Sequence, residues 1–221
     1  MSEQDSFIQE VTEEVERDKL FGYVRRYGWI AILLIILLVG GAAWNEIRKA
    51  RLTSAAETQG DAILSALDAD DAASRNQALA ELLEVTPDRS AAVTSLIYAG
   101  TAGAGEDANV ATAIAELDAV AADSDLALHV RDLAAFKAVL IGAQTLSPDE
   151  RLSRLASLSA PGGAYRLLAL EQTALAQLDA GDTDAAIGTL RDILFDAGVT
   201  QGLRQRVSQL IVALGGSLDA T

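Results

Sequence analysis

The order of apolar and polar positions divides the chain into three stretches. Between Arg26 and Glu46 lies YGWIAILLIILLVGGAAWN, nineteen residues without a formal charge. As a helix rising 1.5 Å per residue, such a run extends about 28 Å, close to the ~30 Å hydrocarbon core of a bilayer. It predicts one transmembrane helix over 27–45. Tyr27 and Trp29 stand at one end and Trp44 at the other, where amphipathic rings settle at the two lipid–water boundaries. In the preceding 1–26, Phe7, Val11 and Val15 recur every four residues. That spacing predicts a charged helical tail with one narrow apolar stripe. From 46 to 221, apolar residues recur at helical intervals and strand-like alternation is nowhere sustained, so the fold is expected to be all-α.

Within 46–221 a longer period emerges. Leu79, Leu82 and Val85 follow one another at intervals of three, and so do Ile114, Leu117 and Val120. The spacing returns in Leu152, Leu155 and Leu158, and again in Ile187, Leu190 and Ile193. The copies begin 35, 38 and 35 residues apart. Ala78, Ala113 and Ala186 precede three of them, and Arg151 takes that place in the remaining copy. Each copy is expected to be the second helix of a pair, with first helices near 45–67, 89–101, 125–144 and 163–180. The segment 89–101 lies one or two turns out of strict register. One hairpin cannot bury its apolar face alone, whereas neighbouring hairpins share a continuous core. A final helix carrying Leu203, Val207, Leu210, Ile211 and Leu214 would close the stack. Ser147 before Pro148, with Glu150 third in the helix, is a helix-start signature. Gly60 is the one strong breaker between Trp44 and Leu67, so the membrane helix is expected to continue into the first pair.

Charge sharpens this division. Residues 1–51 hold seven basic and eight acidic side chains, whereas 52–221 hold ten and twenty-four. A stretch with net charge −14 repels nucleic-acid phosphate, which argues against a nucleic-acid binder and favours basic partners. Cysteine is absent, so disulfides and thiolate metal sites are excluded. The flanking basic residues are nearly balanced, four before the run against three just after it, and leave orientation open. Cleavage after Ala43 is the alternative to a retained anchor. Against it, 26 residues precede the apolar run, with seven acids against four bases, unlike a short basic leader.

Candidate chemistry is sparse. His129 is the single histidine, too little for an ordinary zinc site, and no serine sits in a nucleophile elbow. The glycines of AGTAGAGED neither follow a strand nor include a lysine, unlike a phosphate loop. Asp68, Asp70 and Asp71 lack the ligand pattern of a calcium loop. The expectation is a binding protein without enzymatic chemistry, cofactor or metal.

The fourth pair, LALEQTALAQLDAGDTDAAIGTLRDIL, resembles the tetratricopeptide repeat. It has Leu170 and Ala174 on one helix, Gly181-Asp182 at the turn, and Ala186, Leu190 and Ile193 on the next. Gln177 departs from the usual tyrosine, and no proline closes the repeat near Gly198. In this register Glu171 and Leu175 face the inner surface, as a possible partner surface, as ordinary packing between repeats, or exposed to solvent. The whole layout resembles the tetratricopeptide-like ancillary subunit of the bacterial Sec translocon, of alphaproteobacterial type. The words that carry it are DSFIQEVTEEV, RDKLFGYVRRYGW and LSAPGGAYRLLALEQTALAQLDAGDTDAAI, together with the apolar run. The resemblance implies a single-pass inner-membrane protein, N-terminus in the cytoplasm and helical domain in the periplasm. Its implied partners are translocon subunits, periplasmic chaperones or exported clients. A scaffold for an envelope or division complex, or a cleaved periplasmic binding protein, are the other readings of the same residues.

Overall fold

Short polar side chains start most of the helices, and this punctuation sets the architecture. The computed structural model describes the backbone of residues 3–86, 88–103 and 109–218; side chains are described from Trp29 on, except at 31, 88 and 89. Among these residues there are nine α-helices and no strand. They are α1 (Glu3–Leu67), α2 (Ala72–Val85), α3 (Asp88–Ala102), α4 (Val110–Ala122) and α5 (Leu128–Ile141), the last followed by a 3-10 turn (Gly142–Gln144). Then come α6 (Pro148–Leu158), α7 (Arg166–Asp179), α8 (Thr183–Phe195) and α9 (Gln201–Ala213).

The first N–H groups of a helix have no partner within it, so a side-chain oxygen just before the helix stabilises the start. Asp71, Asn109, Ser147 and Asp182 accept from the backbone N–H three residues on, at the starts of α2, α4, α6 and α8. Thr200 does the same for α9. No side chain caps α5 or α7. The expected start at Ser147 is present, with Pro148 at the first helical position. At the other end of α7, Gly181 takes a positive φ of 83°, and the Asp182 N–H reaches back to the Gln177 carbonyl. A side chain at Gly181 would strain that turn.

Contacts divide the chain into two units, Met1–Gly60 and Asp61–Thr221. In the first, every described residue from Trp29 through Thr58 is exposed. In the second, consecutive helices from α2 to α9 pack one against the next. Its core falls into four clusters, each centred on an even-numbered helix between two odd-numbered ones. Leu79 of α2 sits with Ile63 and Ala66 of α1, against Ile97 and Tyr98 of α3. Ile114 and Leu117 of α4 lie between Ala92 and Ala99 of α3 and Ala134 and Ala138 of α5. Leu155 and Leu158 of α6 meet Phe136 and Val139 of α5 and Ala169 of α7. Leu190 and Ile193 of α8 meet Ala174 of α7 and Leu203, Val207 and Ile211 of α9. Around α4 the buried neighbours Ala92, Ala99, Ala134 and Ala138 are small, which lets α3 and α5 approach it closely.

Candidate interaction surfaces

The residues that defined the period in sequence hold the centre of the second unit. Leu79, Leu117, Leu155, Leu190 and Ile193 are fully buried, and Ile114, Val120 and Leu158 are buried. Leu82, Leu152 and Ile187 are half-buried. Val85 differs, with 77% of its surface exposed. The first copy therefore keeps the apolar spacing without a core behind its last turn. These residues are structural, and a partner would meet what surrounds them.

Polar side chains join helices two apart. Lys137 of α5 donates to the Leu96 carbonyl of α3, and burial lowers its pKa. Gly100 leaves the room for this ammonium, since a Cβ there would lie 2.8 Å from Nζ. Arg154 of α6 makes two hydrogen bonds to Asp118 of α4, at 2.7 and 3.1 Å, and that carboxylate holds its pKa above the ordinary value. Arg206 of α9 clasps both carboxylate oxygens of Glu171 on α7, each at 2.9 Å. Bidentate pairs of this kind fix orientation as well as distance. The Glu171 side chain is only 14% exposed, so the structure assigns it to packing between helices. Leu175, one helical turn on, is half-buried.

Two grooves do open on the second unit. One is lined by Leu128 and Arg131 of α5, Ser157 and Leu158 of α6, and the 160–163 loop. The other runs between the starts of α7 and α9, lined by Arg166, Leu167, Leu168, Asp196, Thr200 and Leu203. Arg166 pairs with Asp196 across it and, by that hydrogen bond above all, holds the carboxyl below its ordinary value. Both grooves include Gly163 and lie at the first turns of odd-numbered helices. Sequence reasoning missed them, because they are made by helix ends brought together in space. Leu128, in the lining of the first groove, is 65% exposed, and Phe195, next in sequence to Asp196 of the second, is 65% exposed.

The first unit presents a different surface. Trp29 is 62% exposed and Trp44 73%, and Ile32 through Val39 are all exposed. The side chains of Tyr27 and of the tail stripe Phe7, Val11 and Val15 lie outside the described residues. Among the described residues no helix is long and apolar enough to cross a membrane. Tyr27, Gly28 and Ala31, part of the uncharged run, are not among the side chains described. A continuous apolar face of this kind is far from the scattered exposure ordinary on a folded surface.

His129 is exposed at the start of α5. Among the described residues no three of His, Asp and Glu converge as a metal site would require. Compared with models of known families, with curated proteins and with solved structures, the chain matches none.

Proposed function

We propose that this chain is a membrane-anchored protein-binding module, in which a tetratricopeptide-like stack of helical pairs is held to a bilayer by the apolar run of α1. The observation that carries the reading is the exposure of the apolar side chains Trp29, Ile30 and Ile32 to Val39. Water does not tolerate such a surface without cost, at roughly 25 cal/mol for each Å² of apolar area. A bilayer removes that cost along the whole length of the uncharged run. The second unit supports the binding part of the reading. It closes its core pair by pair, and it leaves two grooves on one edge with mixed apolar and charged lining. By resemblance, the anchor is single-pass in a bacterial inner membrane, N-terminus in the cytoplasm and second unit in the periplasm. Its partners would be subunits of the Sec translocon, periplasmic chaperones or exported clients, held without covalent chemistry.

The test is fractionation of the full chain from cells, followed by purification in mild detergent. The expected result is retention in membranes through alkaline carbonate extraction, a C-terminal reporter active only outside the cytoplasm, and co-purification of a translocon component or exported client. A mature chain beginning at Trp44, or release into the soluble fraction by carbonate, would overturn the anchor. Retention with no export component recovered would favour the scaffold reading instead.

A further inference from the structure

Beyond the apolar run, α1 changes its chemistry. Trp44, Ile47, Arg48, Arg51 and Leu52 together line one shallow depression on the helix surface. All five are exposed, Trp44 to 73%, Ile47 to 52% and Leu52 to 64%. At 100° per residue, positions 44, 48 and 51 fall within roughly 60° of one another, and Glu46 lies roughly opposite. Arg48 and Arg51 take part in no ion pair and no side-chain hydrogen bond among the described residues. Two unpaired guanidinium groups therefore share a face with an aromatic ring and two aliphatic chains.

We propose that this face docks on anionic phospholipid, with Arg48 and Arg51 gripping headgroup phosphodiesters and Trp44 seated at the hydrocarbon boundary. The inference rests on the anchor reading and adds to it a lipid preference. Position fits: along the helix axis Arg48 starts about 4–5 Å past Asn45 and Arg51 about 9 Å past it. The polar layer of a leaflet is roughly 5–7 Å deep, and a long arginine side chain can fold back toward it. Chemistry fits as well. The planar guanidinium fork matches two phosphate oxygens at once, and arginine sheds its water more readily than lysine. Ile47 and Leu52 flank the pair and extend the greasy surface outward from the run. A zwitterionic headgroup carries its own cation beside the phosphate and competes with the arginines, whereas an anionic one does not. Basic residues near an anionic surface are worth about a fivefold gain in association each.

The test uses the full chain with Trp29→Phe, so that Trp44 is the sole tryptophan, reconstituted in phosphatidylcholine vesicles. Brominated phosphatidylglycerol or brominated phosphatidylethanolamine is added at equal mole fraction, and Trp44 quenching is read. The expected result is association with the phosphatidylglycerol stronger by about tenfold or more, falling toward parity in Arg48→Gln/Arg51→Gln. Equal quenching by the two lipids, in a chain that still resists carbonate extraction, overturns the lipid preference and leaves the anchor standing. A preference that survives in the double variant overturns the assignment to these arginines. Loss of the preference on adding inorganic phosphate at constant ionic strength gives the face to free anions and overturns it too. Absence of quenching by either lipid, with release by carbonate, removes both readings together.

Discussion

Arg151 occupies the position held by Ala78, Ala113 and Ala186 in the other three even-numbered helices. It is 5% exposed, and its Nη2 lies 2.5 Å from Asp179 Oδ2, a carboxylate whose side chain is 58% exposed. Its Nε is buried without a hydrogen-bond partner among the described residues. A buried guanidinium is tolerable while its counter-charge is present and costly once it is not, whereas a nonpolar replacement avoids the desolvation altogether. Asp179→Ala is therefore expected to destabilise the full chain by about 1 kcal/mol or somewhat more, since one end of the pair is wet. Arg151→Met should change stability by less than about 1 kcal/mol, and the double variant should be no worse than Arg151→Met alone. Urea unfolding of all three, followed by circular dichroism, closes the cycle. Additive losses would show that the two side chains do not act as a pair. The exception at 151 stood out in the sequence as a break in the alanine rule. Its partner did not, because Asp179 lies 28 residues away on a helix whose rotation no spacing reveals. The same holds for Glu171: the spacing placed it on a face, and only the approach of α9 decides that Arg206 covers it.

At the scale of the helices, the even-numbered ones are the central beams. Leu117, Leu155 and Leu190 are each fully buried, with odd-numbered helices on both sides. Truncating any one of them to alanine is expected to cost about 2–5 kcal/mol, through lost transfer energy and the cavity left behind. Val85→Ala should stay within about 0.5 kcal/mol. Thermal melting of the four variants checks this, and a Val85→Ala loss as large as the others would contradict the exposed placement. The helices themselves were legible because caps and glycines mark their ends. The segment expected at 89–101 is α3 at Asp88–Ala102, and that expected at 163–180 is α7 at Arg166–Asp179. The segment expected at 125–144 resolves into α5 and a 3-10 turn. What the spacing could not supply was the surface facing each stripe. The triplet in α2 repeats the others, yet Leu79 is its one buried member, where the other triplets have two or three, and its buried neighbours are just Ile63 and Ala66. Periodicity identifies an apolar face; it does not show that a second face exists to meet it. The edge grooves were invisible for a related reason, since they belong to helix ends from different pairs.

For the whole molecule, the dominant long-range term is a formal charge of −15 at pH 7. Self-repulsion of that size disfavours compactness and is screened by salt. Added sodium chloride is expected to raise Tm at pH 7 and to lose that effect near the isoelectric point of about 4.3. At still lower pH a local effect takes over. The carboxyls of Asp71 and Asp196 are held below their ordinary 3.8, Asp71 by the Ser74 N–H foremost and Asp196 by Arg166. A carboxyl lowered in the folded state gives stability that is present above 3.8 and disappears as pH falls through its folded value. Asp71→Asn/Asp196→Asn should therefore flatten the acid limb of a Tm–pH profile below about pH 4. An unchanged limb would show that neither interaction contributes. The charge shifts after Arg51 in the sequence, whereas the boundary between the two units, after Gly60, depends on where helix contacts begin.

From α2 to α9 each helix lies against the next in sequence. Closing such contacts requires only short loops, which makes them entropically cheap and quick to form. A nascent chain can thus consolidate two helices as soon as both have emerged, without waiting for its far terminus. Order would then spread along the polypeptide in the direction of its delivery, with every finished hairpin templating its successor.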